Sequence, residues 1–344
     1  MSSTPPASIG HLAIVAPERI ADVVRATPVF HAALASPDFD ALTILCRPDL
    51  TPLFADGPLQ ARVRGYADAA TMKQLLGEAK PDAVLLLCDG PEAARSAREL
   101  GVPVRAGEAA SSRLRSLTHA VVPSFMSGRP LAIPAGHRLR DLAGLLGLQL
   151  ASLEPRLDLA PEGAREVRSI LEGRGLGPDV PYVVCDPGAG AGWPAERYVK
   201  LLEALHERHG WGAVVCAPTA SANPVSVPGP GATWTPEDGG LGLLRSLCAG
   251  ASLVVAGEGD VRWIATAFDV PRVSILGLSR SAASTQPDAR GELLLTDELD
   301  CSPHVHRSRS LGHHPGSHEL SLERVLEAVD VLLEPARESA SVLP

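Results

Sequence analysis

A chain of 344 residues, 45% of them hydrophobic, is long enough for two cored domains and too apolar for intrinsic disorder. Its 31 Lys and Arg stand against 40 Asp and Glu, and the net charge of −9 argues against nucleic acid or an anionic membrane surface as partner while leaving room for a local anion site. The 6 cysteines include no CxxC pair, no apolar run reaches the roughly 18 residues of a spanning helix, and the first residues carry no charged leader, so a reducing cytoplasm is the expected compartment.

Short apolar runs alternate with helical-period segments along the whole chain. Residues 11–16 (HLAIVA) predict a first strand and 20–35 a helix with a kink or break at Pro28. Strands follow at 41–46 and 82–88, with helices at 71–79 and 91–100 and a short strand at 102–105. A helix at 137–149 leads into a Pro- and Gly-bearing linker at 153–163. The pattern then restarts, with strands at 181–186, 211–217, 252–257 and 271–277, and helices from Trp193-Pro194, over 240–249 and over 260–268. An amphipathic helix at 321–333 closes the chain, with Leu322, Val325, Leu326, Val329 and Leu332 on one face. Alternation of this kind predicts two parallel-sheet α/β domains around a cleft, with ligands at the carboxyl ends of the strands. The expected division is 1–155, 156–320 and a terminal helix at 321–344 that packs back toward the first domain.

The carboxyl-end loops carry the candidate chemistry. In DPGAGAGWP, Gly188, Ala189 and Gly190 separate a strand from a helix that starts near Trp193. Free amides and a helix dipole at such a turn suit a phosphate; the alternative is a close-packed turn with no ligand. One strand later, Gly257-Glu258-Gly259-Asp260 repeats the arrangement. There Glu258 is placed to accept from ribose hydroxyls and Arg262 to pair with a phosphate; the competing reading makes Asp260 a helix cap and Arg262 a solvated surface charge. Asp22, near the start of the first helix, is either a general base facing the cleft or a plain cap. Trp193, Trp234 and Trp263 are the candidate platforms for stacking a sugar. His304, His306, His313, His314 and His318 invite a metal, but no HExxH accompanies them and a polar loop is the preferred reading. A first-strand GxGxxG, which a dinucleotide-dependent oxidoreductase or epimerase would carry, is absent from the sequence.

Four segments in this order resemble the heptosyltransferase-like glycosyltransferases of family 9. They are IADVVRATPVFHAAL with LTILCRPDLTPLF, PGAGAGWPAERYVKLLEAL, LVVAGEGDVRWIATAFDVPRVSILG and DCSPHVHRSRSLGHHPGSHELSLERVLEAV. The resemblance implies a GT-B fold, α/β, with two Rossmann-like domains whose parallel sheets face a central cleft. It implies transfer of a sugar, heptose or related, from a nucleotide diphosphate donor such as ADP-heptose to a hydroxyl of a small molecule or glycan. It also implies inversion without metal or cofactor, with Asp22 as base and Gly188, Ala189, Gly190, Trp193, Glu258, Gly259, Asp260 and Arg262 around the donor. The chain departs from the family at Ala191 and Gly192, where a lysine usually precedes WP, and at 257–263, where NDSGPMH is usual. Those departures leave a second expectation, a nucleotide-sugar-binding protein with weak or no turnover.

Overall fold

The computed structural model describes residues 10–109, 112–123, 125–126, 129–130, 133–188, 193–216, 225–227, 230–235, 239–257, 259–276, 291–295 and 320–340. The chain divides into two compact units at Asp158–Leu159, close to the expected 155–156.

The first unit is a parallel sheet of β1 (His11–Val15), β2 (Ala41–Cys46), β3 (Val63–Gly65), β4 (Ala83–Leu86), β5 (Val104–Glu108) and β6 (His119–Val121). Its spatial order is β3-β2-β1-β4-β5-β6, so the chain winds outward from β1, returns, and continues on the other side through β4. The helices between these strands are α1 (Ile20–Ala35), α2 (Ala69–Ala79) and α3 (Glu92–Glu99). Ala13 and Val15 of β1, Val84 and Leu86 of β4, Met72 and Leu76 of α2, and Ala93 and Ala97 of α3 form one core layer. A small antiparallel pair, β7 (Phe125–Met126) and β8 (Arg129–Pro130), precedes α4 (Ala135–Gly144).

Pro28 does not break α1. A proline leaves the carbonyl four residues back without its helical donor. Here that carbonyl belongs to Val24, and the Thr27 hydroxyl donates to it at 2.7 Å. The same hydroxyl accepts the Arg156 N–H at 2.8 Å, which ties the segment before the second unit to the first helix.

The second unit repeats the winding. Its strands are β9 (Tyr182–Asp186), β10 (Gly212–Cys216), β11 (Gly231–Trp234), β12 (Leu253–Ala256), β13 (Arg272–Ile275) and β14 (Glu292–Leu295), in the order β11-β10-β9-β12-β13-β14. Helix α5 (Pro161–Glu172) begins in the last three residues of the expected linker and runs on past it; proline opens it, and Val167 and Leu171 are its buried turn-spaced pair. Helices α6 (Ala195–His209), α7 (Gly240–Ala249) and α8 (Asp260–Ala267) complete the unit with α9 (Leu322–Ala340). The terminal helix, expected to pack back toward the first domain, puts its described apolar face, Val325, Leu326, Val329 and Leu333, with Tyr198, Leu201, Val273 and Ile275 in the core of the second unit. The physical reason is the stripe itself, an apolar face that is buried together with α6 and β13 in one core. Cys46, Cys88, Cys185 and Cys216, which end apolar strand runs, and Cys248 of α7 are buried free thiols.

Candidate functional site

In the second unit the order of strands reverses between β9 and β12, which are direct neighbours with Asp186 opposite Ala256. Open α/β sheets bind ligands outside the carboxyl ends of strands at such a switch point. The two glycine turns singled out in the sequence follow these two strands, so the fold brings both to one sheet edge.

The first turn is anchored by a residue that the sequence reading passed over. The Asp186 side chain accepts the Gly188 N–H at 3.0 Å, with Gly188 at φ +73°, a conformation that favours glycine. The other Asp186 oxygen lies at the second turn, 2.9 Å from where a Cβ on Gly259 would stand. Gly259 has extended backbone, so it is glycine for want of room and not for its φ. Burial first, and the nearby Asp260 carboxylate, push the Asp186 carboxyl up to about 6, against the bond from Gly188. The available signal was a carboxylate at the last position of a strand, directly before the glycines.

The remaining donor-side candidates divide. Gly259 is the cap residue of α8 and Asp260 its first residue, so Asp260 is a first-turn acid and not the cap. Arg262 is not a solvated charge: it is 1% exposed, and its guanidinium lies over the Trp263 ring at 4.8 Å from the centroid. Trp193 is no open platform. It is 3% exposed, donates its indole N–H to the Leu320 carbonyl at 2.8 Å and meets Tyr198 edge-on. Trp263 is also buried, because α8 is buried on all sides from Val261 to Ala267. Ala189, Gly190 and Glu258 lie outside the described residues, as do the five histidines after Cys301. Among the described residues, no three His, Cys, Asp or Glu side chains gather as a metal-holding group.

In the first unit, Arg19 occupies the cap position of α1, and Asp22 stands in its first turn. Asp22 is therefore not the cap. Its carboxylate is paired with Arg25, one turn on, and its side chain is 32% exposed against 14% for the arginine. The arginine, readable at i+3, fixes the acid's direction and leaves one face of it open. At the carboxyl ends of β1 to β4, the same unit holds a cavity of about 610 Å3 lined by Glu18, Arg47, Tyr66, Asp68 and Glu92, among others.

The sequence profile described as Glycosyltransferase family 9 (heptosyltransferase) matches residues 69–314, more than two thirds of the chain. The protein belongs to glycosyltransferase family 9. Sugar transfer is the reaction class of this family 9 enzyme. A search of curated proteins finds no match. Solved structures agree on the fold. A family 9 glycosyl transferase from Veillonella parvula is 15% identical, with 96% of this chain and 99% of that one covered at a TM-score of 0.76. The ADP-heptose lps heptosyltransferase II of E. coli is 18% identical, with 95% and 99% covered and a TM-score of 0.75. E. coli heptosyltransferase WaaC with ADP is 16% identical, with 97% and 100% covered and a TM-score of 0.60. The profile match contains both glycine turns of the family 9 enzyme; Asp22 precedes it. Among the described residues, no helix is long and apolar enough to cross a membrane.

Proposed function

We propose that this family 9 enzyme is an inverting, metal-independent transferase that moves a heptose or related sugar from a nucleoside diphosphate, such as ADP-heptose, to a hydroxyl acceptor. The observation that carries this reading is the pair of glycine turns at the switch point of the second sheet. Main-chain amides there and the starts of α6 and α8 suit a diphosphate, whose charge grows as it leaves. Ala189 and Gly190 keep the donor-binding role that the family resemblance implies, while Asp186 takes the Gly188 amide. The acceptor oxygen attacks the anomeric carbon in line. Its new bond to carbon forms as the bond from carbon to phosphate oxygen breaks, and the electron pair leaves with the diphosphate. The acceptor's proton passes to Asp22, whose open face receives it while Arg25 keeps the carboxylate in place. The cytoplasm is the compartment assigned to the reaction, consistent with five buried free thiols.

The Asp22→Ala variant tests the base. Turnover should fall by about 10²- to 10⁴-fold, the usual range for lost acid–base catalysis, with donor affinity unchanged. Unaltered turnover rejects the role. A second reading, a protein that binds nucleotide sugars with little turnover, is favoured by the Asp186 carboxylate on the first turn. Donor binding by the wild type without transfer to any hydroxyl acceptor would select it.

A further inference from the structure

The cavity in the first unit stands at that sheet's own switch point, between β1 and β4, where the chain reverses its winding. At about 610 Å3 it has the size of a small-molecule site. Its lining comes from the loops after β1, β2, β3 and β4, which bring Glu18, Asp49, Tyr66 and Cys88 to one place.

Its charge is one-sided. Four carboxylates, Glu18, Asp49, Asp68 and Glu92, face a single guanidinium, that of Arg47. Arg47 makes a two-point pair with one of them, Asp49, at 3.0 and 2.9 Å, and the Glu18 carboxylate also acts on its charge. Asp68 caps α2 through one oxygen, which accepts the Thr71 N–H and hydroxyl at 2.7 and 2.8 Å and holds the carboxyl below its ordinary range. Glu18 and Glu92 make no ion pair among the described residues. Arg113, which is buried and not among the lining residues, donates to the main-chain oxygens of Glu108 and Cys88. Met72, Cys88 and Ala93 supply an apolar floor. The Tyr66 phenol, pushed up to about 12 by burial and then by Cys88 and Glu18, stays protonated and offers a ring and a hydroxyl.

An acidic rim, an apolar floor and one phenol match a ring that carries hydroxyls and positive charge. They oppose a phosphate or carboxylate, which would meet uncompensated negative charge. We propose that this cavity is the acceptor subsite and takes a polyhydroxylated molecule bearing protonated amines, of the amino-sugar or aminocyclitol class. The acceptor role rests on the transferase reading above; the choice of charge rests on the cavity alone.

The test compares three six-membered rings on the full-length protein by calorimetry at pH 7: 2-deoxystreptamine, myo-inositol and myo-inositol phosphate. The diamine should bind at least about tenfold tighter than inositol and weaken as salt rises, and the phosphate should bind worst. The double variant Glu18→Gln, Glu92→Gln, altering two exposed side chains, should erase the diamine's advantage, with ADP affinity as the reference for an intact second unit. Equal binding of diamine and inositol, tighter binding of the phosphate, or a preference untouched by the double variant would overturn the proposal. Transfer to a neutral or phosphorylated acceptor in preference to an amine would overturn it while leaving the transferase reading standing. Tight amine binding with no transfer would keep the cavity's preference for charge and overturn its acceptor role.

Discussion

Asp186 shows how one carboxylate joins two turns. It takes an amide from the first glycine turn, and it fills the space beside Gly259 at the second. Its folded-state pKa lies above the ordinary 3.8, at about 6, so the folded protein binds the proton more tightly than the unfolded chain. The contribution of this group to stability is therefore fully present below about pH 4 and lost as pH rises to about 6, by on the order of 3 kcal/mol. The Asp186→Asn variant lacks that titration. Urea unfolding at pH 4 and pH 7 should show the variant gaining on the wild type by up to that amount between the two values. A difference between the two proteins that stays constant with pH would mean that Asp186 does not titrate in this window.

At the scale of elements, α1 is the instructive case. Its proline is tolerated because Thr27 returns a donor to the Val24 carbonyl and then accepts a main-chain N–H from Arg156. The hydroxyl is fully buried, so both partners lose their bond together if it is removed. Thr27→Val keeps the volume and deletes the hydroxyl. It should destabilise the protein by about 1–3 kcal/mol, measured by denaturant unfolding, with the midpoint falling and the slope unchanged. A loss below about 0.5 kcal/mol would show that water or a shifted helix replaces the bond. The same helix presents Asp22 one turn from its start, so its continuity past Pro28 also concerns the candidate base.

At the scale of the molecule, two sheets share one winding order, and each has its switch point at its first and fourth strands in chain order. The candidate donor turns belong to one sheet edge and the acidic cavity to the other sheet's edge. A nucleoside diphosphate that binds only the folded second unit should stabilise the protein by about 2.7 kcal/mol at a hundredfold excess over its dissociation constant. Thermal unfolding with ADP should therefore shift upward by several degrees. The absence of a shift with any nucleoside diphosphate would remove the donor site from the second unit.

The amino-acid sequence by itself determined the central strands, most helices, the two-unit plan and the family, because these rest on local periodicity and on motifs contiguous in the chain. It did not reveal β3 and β6, three-residue edge strands with polar members, or α5, whose opening proline and glycine read as a linker. Only the tertiary structure decided that Trp193 and Arg262 are buried, since Trp193 is held by Leu320, distant in the chain, and Arg262 lies in a helix buried on all sides. Only it joined Glu18, Arg47, Tyr66, Asp68 and Glu92 around one cavity. Parallel strands need long crossovers, so residues that meet at a sheet edge lie far apart in the chain, and no local pattern records their meeting.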